Sequence, residues 1–290
     1  MSNSLAIGTA QFGQPYGVAN DAGQLTCGTV KAILARAFGA GVDTLDTAVA
    51  YGNSEACLGK AGVSAWRVIT KLPALPMAVP DVSRWVESQV RASLRRLSVA
   101  RLDGLLLHKP SDLLGASGMS YQHALQMLKS EGLVSAVGVS IYDPSELDTL
   151  WSSWHPEIVQ APCNVLDRRL LRSQWLAKLN DHGVRIHVRS VFLQGLLLMP
   201  VTRRPAWFAR WGTLLDHWLN WCRDHETSPL QASLAFVQAQ AGIERLVVGM
   251  DSVAQLEEIL AALVAQSPLA PDDLYSDDRD LIEPSRWKLT

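Results

Sequence analysis

The 290-residue chain carries only four cysteines, Cys27, Cys57, Cys163 and Cys222, far apart and without a CxxC pair. That excludes a disulfide framework and a thiolate zinc site, and it reads as buried thiols in a reducing compartment. An excess of either charge is also missing: 26 basic residues face 28 acidic ones, a formal net charge of -2. With no overall positive field, a nucleic-acid partner is not expected. No uncharged apolar run approaches the roughly 20 residues of a membrane helix, and the opening stretch from Met1 to Gly8 has no basic segment leading into an apolar one. These absences predict a cytoplasmic protein without membrane contact. His123, His155, His182, His187, His217 and His225 show no HExxH or similar ligand spacing, so no metal is expected.

What is present is a repeating unit: a short apolar run, a polar or glycine-containing turn, then a segment of helical period. The apolar runs are Leu5 to Thr9, Val42 to Asp46, Arg67 to Lys71, Leu102 to His108, Ser135 to Ser140, Glu157 to Gln160, Val184 to Ser190 and Arg245 to Met250. Most are continuously apolar, as strands covered on both faces of a parallel sheet require. Thr26 and Ser252 read as helix caps, Pro144 opens another helical segment, and residues Asp81 to Leu97 carry one apolar stripe. Eight such units predict an α/β fold, a single-domain (β/α)8 TIM barrel spanning residues 1–290. The alternative is an open doubly wound sheet. It is disfavoured because Gly8-Thr9-Ala10-Gln11-Phe12-Gly13 has neither GxGxxG spacing nor an immediate helix.

Two segments break the rhythm. An insertion over residues 200–228, after the seventh strand, holds Trp207, Trp211, Trp218 and Trp221 at helical spacing. It reads first as a helix packed on the barrel, and second as a lid or subunit contact. The C-terminal extension, residues 267–290, contains Pro268, Pro271 and an acidic run from Asp272 to Asp280, and it reads as surface.

Barrel active sites lie where strands end. Here those ends supply Asp46 with nearby Tyr51, then Lys71, His108, Ser140, Gln160 and Ser190. Lys71 stands out because the chain has seven lysines and this one closes an apolar run. An ammonium beside Tyr51 would lower its pKa from about 10 and make it a proton donor near neutral pH. Asp46 would keep that ammonium charged, and neutral His108 would orient a carbonyl oxygen. Nothing in the cluster supplies hydride, so a cofactor has to.

Leu45-Asp46-Thr47-Ala48-Val49-Ala50-Tyr51-Gly52, with Ser54-Glu55 and Leu58-Gly59 behind it, resembles the first signature of the aldo-keto reductase family. Ile69-Thr70-Lys71 and Leu106-Leu107-His108 stand where that family has its lysine and histidine, and the resemblance covers nearly the whole chain. It implies a barrel that binds NADPH, with NADH possible, and reduces an aldehyde or ketone, in some relatives sugar-like. It also implies Asp46, Tyr51, Lys71 and His108 as the catalytic tetrad, with Tyr51 as general acid. Ser140 and Gln160 would hold the nicotinamide carboxamide, Arg189 would stand beside the nicotinamide, Ser190, Gly195 and Leu196 would belong to the loop over the pyrophosphate, and Gly8 and Thr9 would also contact the coenzyme. Gly249, Ser252, Gln255 and Glu258 would lie in the segment around the adenosine 2′-phosphate. The sequence departs from the family at Ile141, where an asparagine is usual, and at Arg189, where an aromatic ring is common. Gln255 and Ile259 replace a frequent arginine and asparagine.

The expected partner is therefore a small carbonyl compound, with the chain a monomer or weak homo-oligomer. Two other readings are a nucleotide-binding sensor or structural homologue without turnover, and an aldolase forming a Schiff base at Lys71.

Overall fold

Eight parallel strands close on themselves in this computed structural model, which describes residues 4–21 and 23–289. Met1 to Asn3, part of the opening stretch considered above, and Thr290 of the extension lie outside the described residues. The strands are β1 (Leu5–Gly8), β2 (Thr44–Asp46), β3 (Arg67–Leu72), β4 (Leu102–Leu107), β5 (Val134–Ser140), β6 (Ile158–Pro162), β7 (Arg185–Arg189) and β8 (Ile243–Gly249). Each pairs with its sequence neighbours, and β1 meets β8 through Ile7↔Val248 and Gly8↔Gly249. The fold is a (β/α)8 barrel.

The helices are α1 (Ala10–Gly13), α2 (Cys27–Gly39), α3 (Ser54–Ala61), α4 (Val82–Leu97), α5 (Gly118–Ser130), α6 (Glu146–Leu150), α7 (Arg169–Arg172), α8 (Trp175–Asp181), α9 (Gly212–Asp224), α10 (Pro229–Gln238), α11 (Val253–Ala262) and α12 (Arg279–Ile282). Their starts follow side-chain chemistry. Thr26 accepts from the Thr29 amide at 3.2 Å and Ser252 from the Gln255 amide at 3.1 Å, each satisfying a donor that the first helical turn leaves open. In α4 the buried residues Val82, Val86, Val90, Leu94 and Leu97 form one face. Each apolar side chain removed from water there is worth about 1.5–3 kcal/mol, so Val90→Asp would undo the packing of that helix. Among the described residues no helix is long and apolar enough to cross a membrane.

Inside the barrel, Ile69, Leu106, Ala136 and Ile158 form their own cluster. Toward the strand N-termini, Arg185 spans from Asp103 to Glu244 at 2.9 Å each. Packed side chains and this charged crosspiece fill the barrel interior, which leaves the C-terminal end of the strands as the open face.

Three expectations change. A four-residue helix, α1, follows β1 directly, where the sequence suggested none. β8 begins at Ile243 and includes Glu244 and Arg245, whose charges are paired with Arg185 and Asp43, so polar residues occupy a strand that apolar content alone would start later. The C-terminal segment is anchored rather than merely superficial. Leu274, Leu281 and Ile282 are buried, Asp272 pairs with Arg168 and Asp280 with Arg210, and Asp278 accepts from the Trp211 indole at 2.9 Å. The tryptophan-rich segment itself packs inward, with Trp211, Trp218 and Trp221 buried and the Trp218 indole donating to the Leu197 carbonyl at 2.9 Å.

Candidate active site

Asp46 is the last residue of β2, and Thr9 at the end of β1 holds it in place: the Thr9 amide and hydroxyl both donate to the Asp46 carbonyl at 3.0 Å. Behind them Ser54, the first residue of α3, donates to Thr9. Tyr51 lies in the turn between β2 and α3. Gly13 and Gly52 set that turn, because a Cβ on Gly13 would overlap the Tyr51 carbonyl oxygen and one on Gly52, left-handed at φ 55°, would overlap the Gly13 carbonyl. Backbone thus packs on backbone directly beneath the tyrosine.

Lys71 enters from β3 and is wholly buried, its Nζ 2.5 Å from Asp46 Oδ1 and 2.9 Å from the Thr47 carbonyl. The same Nζ lies 5.2 Å from the centre of the Tyr51 ring. On the other carboxylate oxygen, Gln160 of β6 donates at 2.6 Å, and the Gln160 carbonyl oxygen accepts from Ser140 of β5 at 3.2 Å. One hydrogen-bonded chain therefore crosses the barrel from Ser140 through Gln160 and Asp46 to Lys71. His108, just beyond β4, completes the group with its ring 6.0 Å from that of Tyr51. Among the described residues no hydrogen bond reaches the Tyr51 hydroxyl or the His108 ring nitrogens, and both side chains face a shared cleft of about 770 Å³.

The electrostatics follow from this burial. Removal from water, then the charges of Lys71 and Arg189, push the His108 imidazole down to about 3, so it is neutral. Burial pulls the Lys71 ammonium below its ordinary value while Asp46 opposes that shift. Tyr51 moves opposite to the expectation of a lowered pKa. Its enclosure, in which the phenolate would be poorly hydrated, and then the Asp46 charge raise it. Tyr51 is accordingly a protonated acid throughout the neutral range. The Schiff-base alternative fails on access, since no part of Lys71 is exposed for a substrate to reach.

Of the other residues expected at the site, Gly8, Thr9, Ser140, Arg189, Ser190, Gly195, Gly249, Gln255 and Glu258 line the cleft. Three do not. Gln160 turns inward to Asp46, Leu196 is buried in the core, and Ser252 caps α11. The Gln255 side-chain oxygen is committed to the Asp251 amide at 2.7 Å. Arg189 donates to the Ile141 carbonyl at 2.9 Å and stacks 4.7 Å over the Tyr142 ring, with no carboxylate partner among the described residues.

The sequence did not single out Gln11, Tyr16, Asn20, Tyr142 or Gln194, which also line the cleft. Tyr16 and Tyr142 could have been sought as aromatics just past strand ends. Asn20 and Gln194 could not be picked out singly, because only in three dimensions does the loop after β1 bring Asn20 to Asp251 and Tyr16 to Gln194. In that loop the Tyr16 hydroxyl accepts from Gln194 at 3.2 Å, Asp21 pairs with Arg203, and Asn20 approaches Asp251 at 3.5 Å. Facing it, Ser190, Leu193, Gln194 and Gly195 all have positive φ, a cluster of left-handed residues typical of a loop shaped around a ligand.

Comparison with known proteins decides the family. The model of the Aldo/keto reductase family matches residues 4–275. The chain belongs to the aldo/keto reductase family. Aldo/keto reductases are oxidoreductases that use nicotinamide cofactors. The chain is 26% identical over 265 residues to the NADH-specific methylglyoxal reductase of Escherichia coli (strain K12), covering 77% of this chain and 79% of that one. It is 29% identical over 204 residues to aflatoxin B1 aldehyde reductase member 2 of Rattus norvegicus, covering 66% and 52%. Among solved structures, the holo form of an aldo-keto reductase from Bacillus halodurans superposes with a TM-score of 0.75 at 20% identity, over 98% of this chain and 95% of that one, a likeness of fold.

Proposed function

We propose that this aldo/keto reductase reduces a small aldehyde or ketone to the alcohol, with Tyr51 as general acid and NADH as its preferred coenzyme. The observation that carries the reading is the buried Asp46–Lys71 pair set beside the ring of Tyr51, with neutral His108 across the same cleft. A nicotinamide dinucleotide fits the residues present: the cleft is of a size that takes such a ligand, and it runs from Tyr51 and His108 to the first turn of α11. When bound, the coenzyme supplies the hydride.

The chain's own residues do the rest. Neutral His108 can donate an N–H to the carbonyl oxygen and hold it near Tyr51. The Tyr51 hydroxyl carries the proton that this oxygen takes up as it becomes an alkoxide. As the proton leaves, the phenolate that forms is stabilised by the Lys71 ammonium, which Asp46, Thr47 and Gln160 keep charged and aimed. The raised pKa of resting Tyr51 and this stabilisation are compatible, because burial sets the direction of the shift and the ammonium lessens the cost of the phenolate that burial would otherwise impose.

The coenzyme preference rests on the far end of the cleft. Asp251 and Glu258 line it with Asn20 and Gln255, and among the described lining residues the sole cation, Arg189, is at the other end. A 2′-phosphate would bring up to two negative charges against two carboxylates, whereas a 2′-hydroxyl can donate to one. The NADH specificity of the Escherichia coli relative supports the same choice.

Calorimetric titration with NADH and NADPH, together with turnover of Tyr51→Phe, tests the reading. NADH should bind more tightly than NADPH, and the variant should lose at least about 100-fold in kcat while keeping its NADH affinity. Failure of both dinucleotides to bind would favour a protein without turnover. More than about a tenth of kcat remaining in Tyr51→Phe would move the acid elsewhere, since general acid catalysis is typically worth 10²–10⁴-fold.

A further inference from the structure

Two of the four cysteines, thirty residues apart in sequence, meet in space. Cys27 is the first residue of α2 and is exposed, while Cys57 lies in α3 and is buried, and their sulfurs are 3.5 Å apart. Cys163 and Cys222 are both buried and neither contacts another cysteine among the described residues. The pair thus joins one thiol that solvent can reach to one that it cannot. A disulfide needs an S–S distance near 2.05 Å, so closure requires an approach of roughly 1.5 Å, within reach of side-chain rotation at an exposed helix start.

We propose that Cys27 and Cys57 are an oxidation site for hydroperoxides and form a reversible disulfide. The Cys27 thiolate attacks one oxygen of the hydroperoxide. An S–O bond forms, the O–O bond breaks, and the departing alkoxide or hydroxide takes the proton that the thiol gave up. Cys57 then attacks the Cys27 sulfur, forming the S–S bond as the S–O bond breaks, and the hydroxide leaves as water with the Cys57 proton. Two thiols lose two electrons in all, and one hydroperoxide becomes an alcohol, or water, plus a second water. Burial and the neighbouring Cys27 thiol hold the Cys57 thiol up at about 11, which suits it to resolving a sulfenic acid beside it rather than to reacting first; the Lys60 ammonium opposes that shift.

The location gives the bond a consequence. The loop it closes, residues 27–57, contains β2, Asp46 and Tyr51, and α3 is the element whose Ser54 fastens Thr9 behind Asp46. A disulfide there ties α2 to α3 at the back of the proposed acid. It should raise thermal stability by constraining the unfolded chain.

The full-length protein, reduced and freed of reductant, is treated with equimolar hydrogen peroxide, then alkylated and analysed by intact mass and non-reducing peptide mapping. The expected product is lighter by two hydrogens, with the Cys27 and Cys57 peptides cross-linked, a melting temperature higher by several degrees, and reversal by dithiothreitol. Cys27→Ser, an exposed change that leaves the fold intact, should abolish the cross-link. Cys57→Ala should let dimedone trap a sulfenic acid at Cys27. If that variant does not fold, the wild-type and Cys27→Ser comparison still decides. Sulfinic acid at Cys27 with Cys57 still free, a cross-link involving Cys163 or Cys222, or an unchanged mass would overturn the proposal.

Discussion

The Gln160 amide donates to the Asp46 carboxylate at 2.6 Å, joining β6 to β2 through the interior of the barrel. Asp46 therefore has one oxygen on Lys71 and the other on Gln160, and neither partner is exposed. A buried carboxylate oxygen that loses its donor is left unsatisfied, even with Lys71 still on the other oxygen. Gln160→Met should destabilise the fold by about 1–3 kcal/mol and lower kcat by way of Lys71, while NADH affinity changes little. Urea denaturation and steady-state kinetics check this, and a variant of unchanged midpoint and kcat would show that the bond contributes nothing.

Breaking the ion pair itself should cost more. Lys71→Met leaves a carboxylate, and Asp46→Asn an ammonium, buried beside a neutral neighbour, each a loss of about 3–5 kcal/mol. Activity should separate them. Lys71→Met should abolish turnover, because the ammonium proposed to stabilise the Tyr51 phenolate is gone, whereas Asp46→Asn should retain some, the charge being present but less well held. Equal residual rates in the two variants, compared at matched folded fraction, would contradict the ordering.

His108 predicts a pH dependence of stability. Its folded-state pKa, about 3, lies below the ordinary value of 6.5, so between those limits the unfolded chain binds a proton that the folded chain does not. Stability is then unaffected above about pH 6.5 and falls as the pH drops through that window, by at most about 1.4 kcal/mol per unit from this group. His108→Gln should flatten that portion of the curve. Chemical denaturation of both proteins from pH 7 to pH 4.5 measures the difference, and parallel curves would mean that His108 is as readily protonated when folded as when unfolded.

Coenzyme choice should yield to charge reversal at the α11 end of the cleft. Glu258→Arg replaces a repelling carboxylate by a guanidinium able to grip a phosphate, and NADPH affinity should rise by at least tenfold relative to NADH, about 1.4 kcal/mol. Fluorescence titration of the two coenzymes reads this directly. An unaltered ratio would place the 2′ position away from Glu258.

At the opposite end, Arg189 puts on the cleft wall over Tyr142 a guanidinium with no carboxylate partner among the described residues. A fixed positive charge near the nicotinamide disfavours the ring's cationic, oxidised form. Arg189→Met should tighten NAD+ relative to NADH, and the two dissociation constants measured side by side decide whether the guanidinium acts on the ring at all.

The sequence by itself determined the fold class and the residue types of the site. Eight apolar runs separated by helical periods admit a closed parallel barrel, and in such a barrel strand ends such as Asp46 and Lys71 are at the open face whatever the packing details. What it could not determine was direction and company. Gln160 has the same place in the chain whether it turns outward or inward, and the barrel's curvature, which points it at Asp46 from 114 positions away, makes it a partner of the carboxylate. The sign of the Tyr51 shift was decided in the same way, because it is the enclosure of the phenol and the Asp46 charge beside it, both products of packing, that raise its pKa. The long contacts of the C-terminal acids with Arg168, Arg210 and Trp211, and the meeting of Cys27 with Cys57, likewise depend on which helices become neighbours. Local pattern fixes what a segment becomes, since propensity and burial act over a few residues. Hydrogen bonds and charges act across the whole cross-section, and only closure of the barrel brings their partners within range.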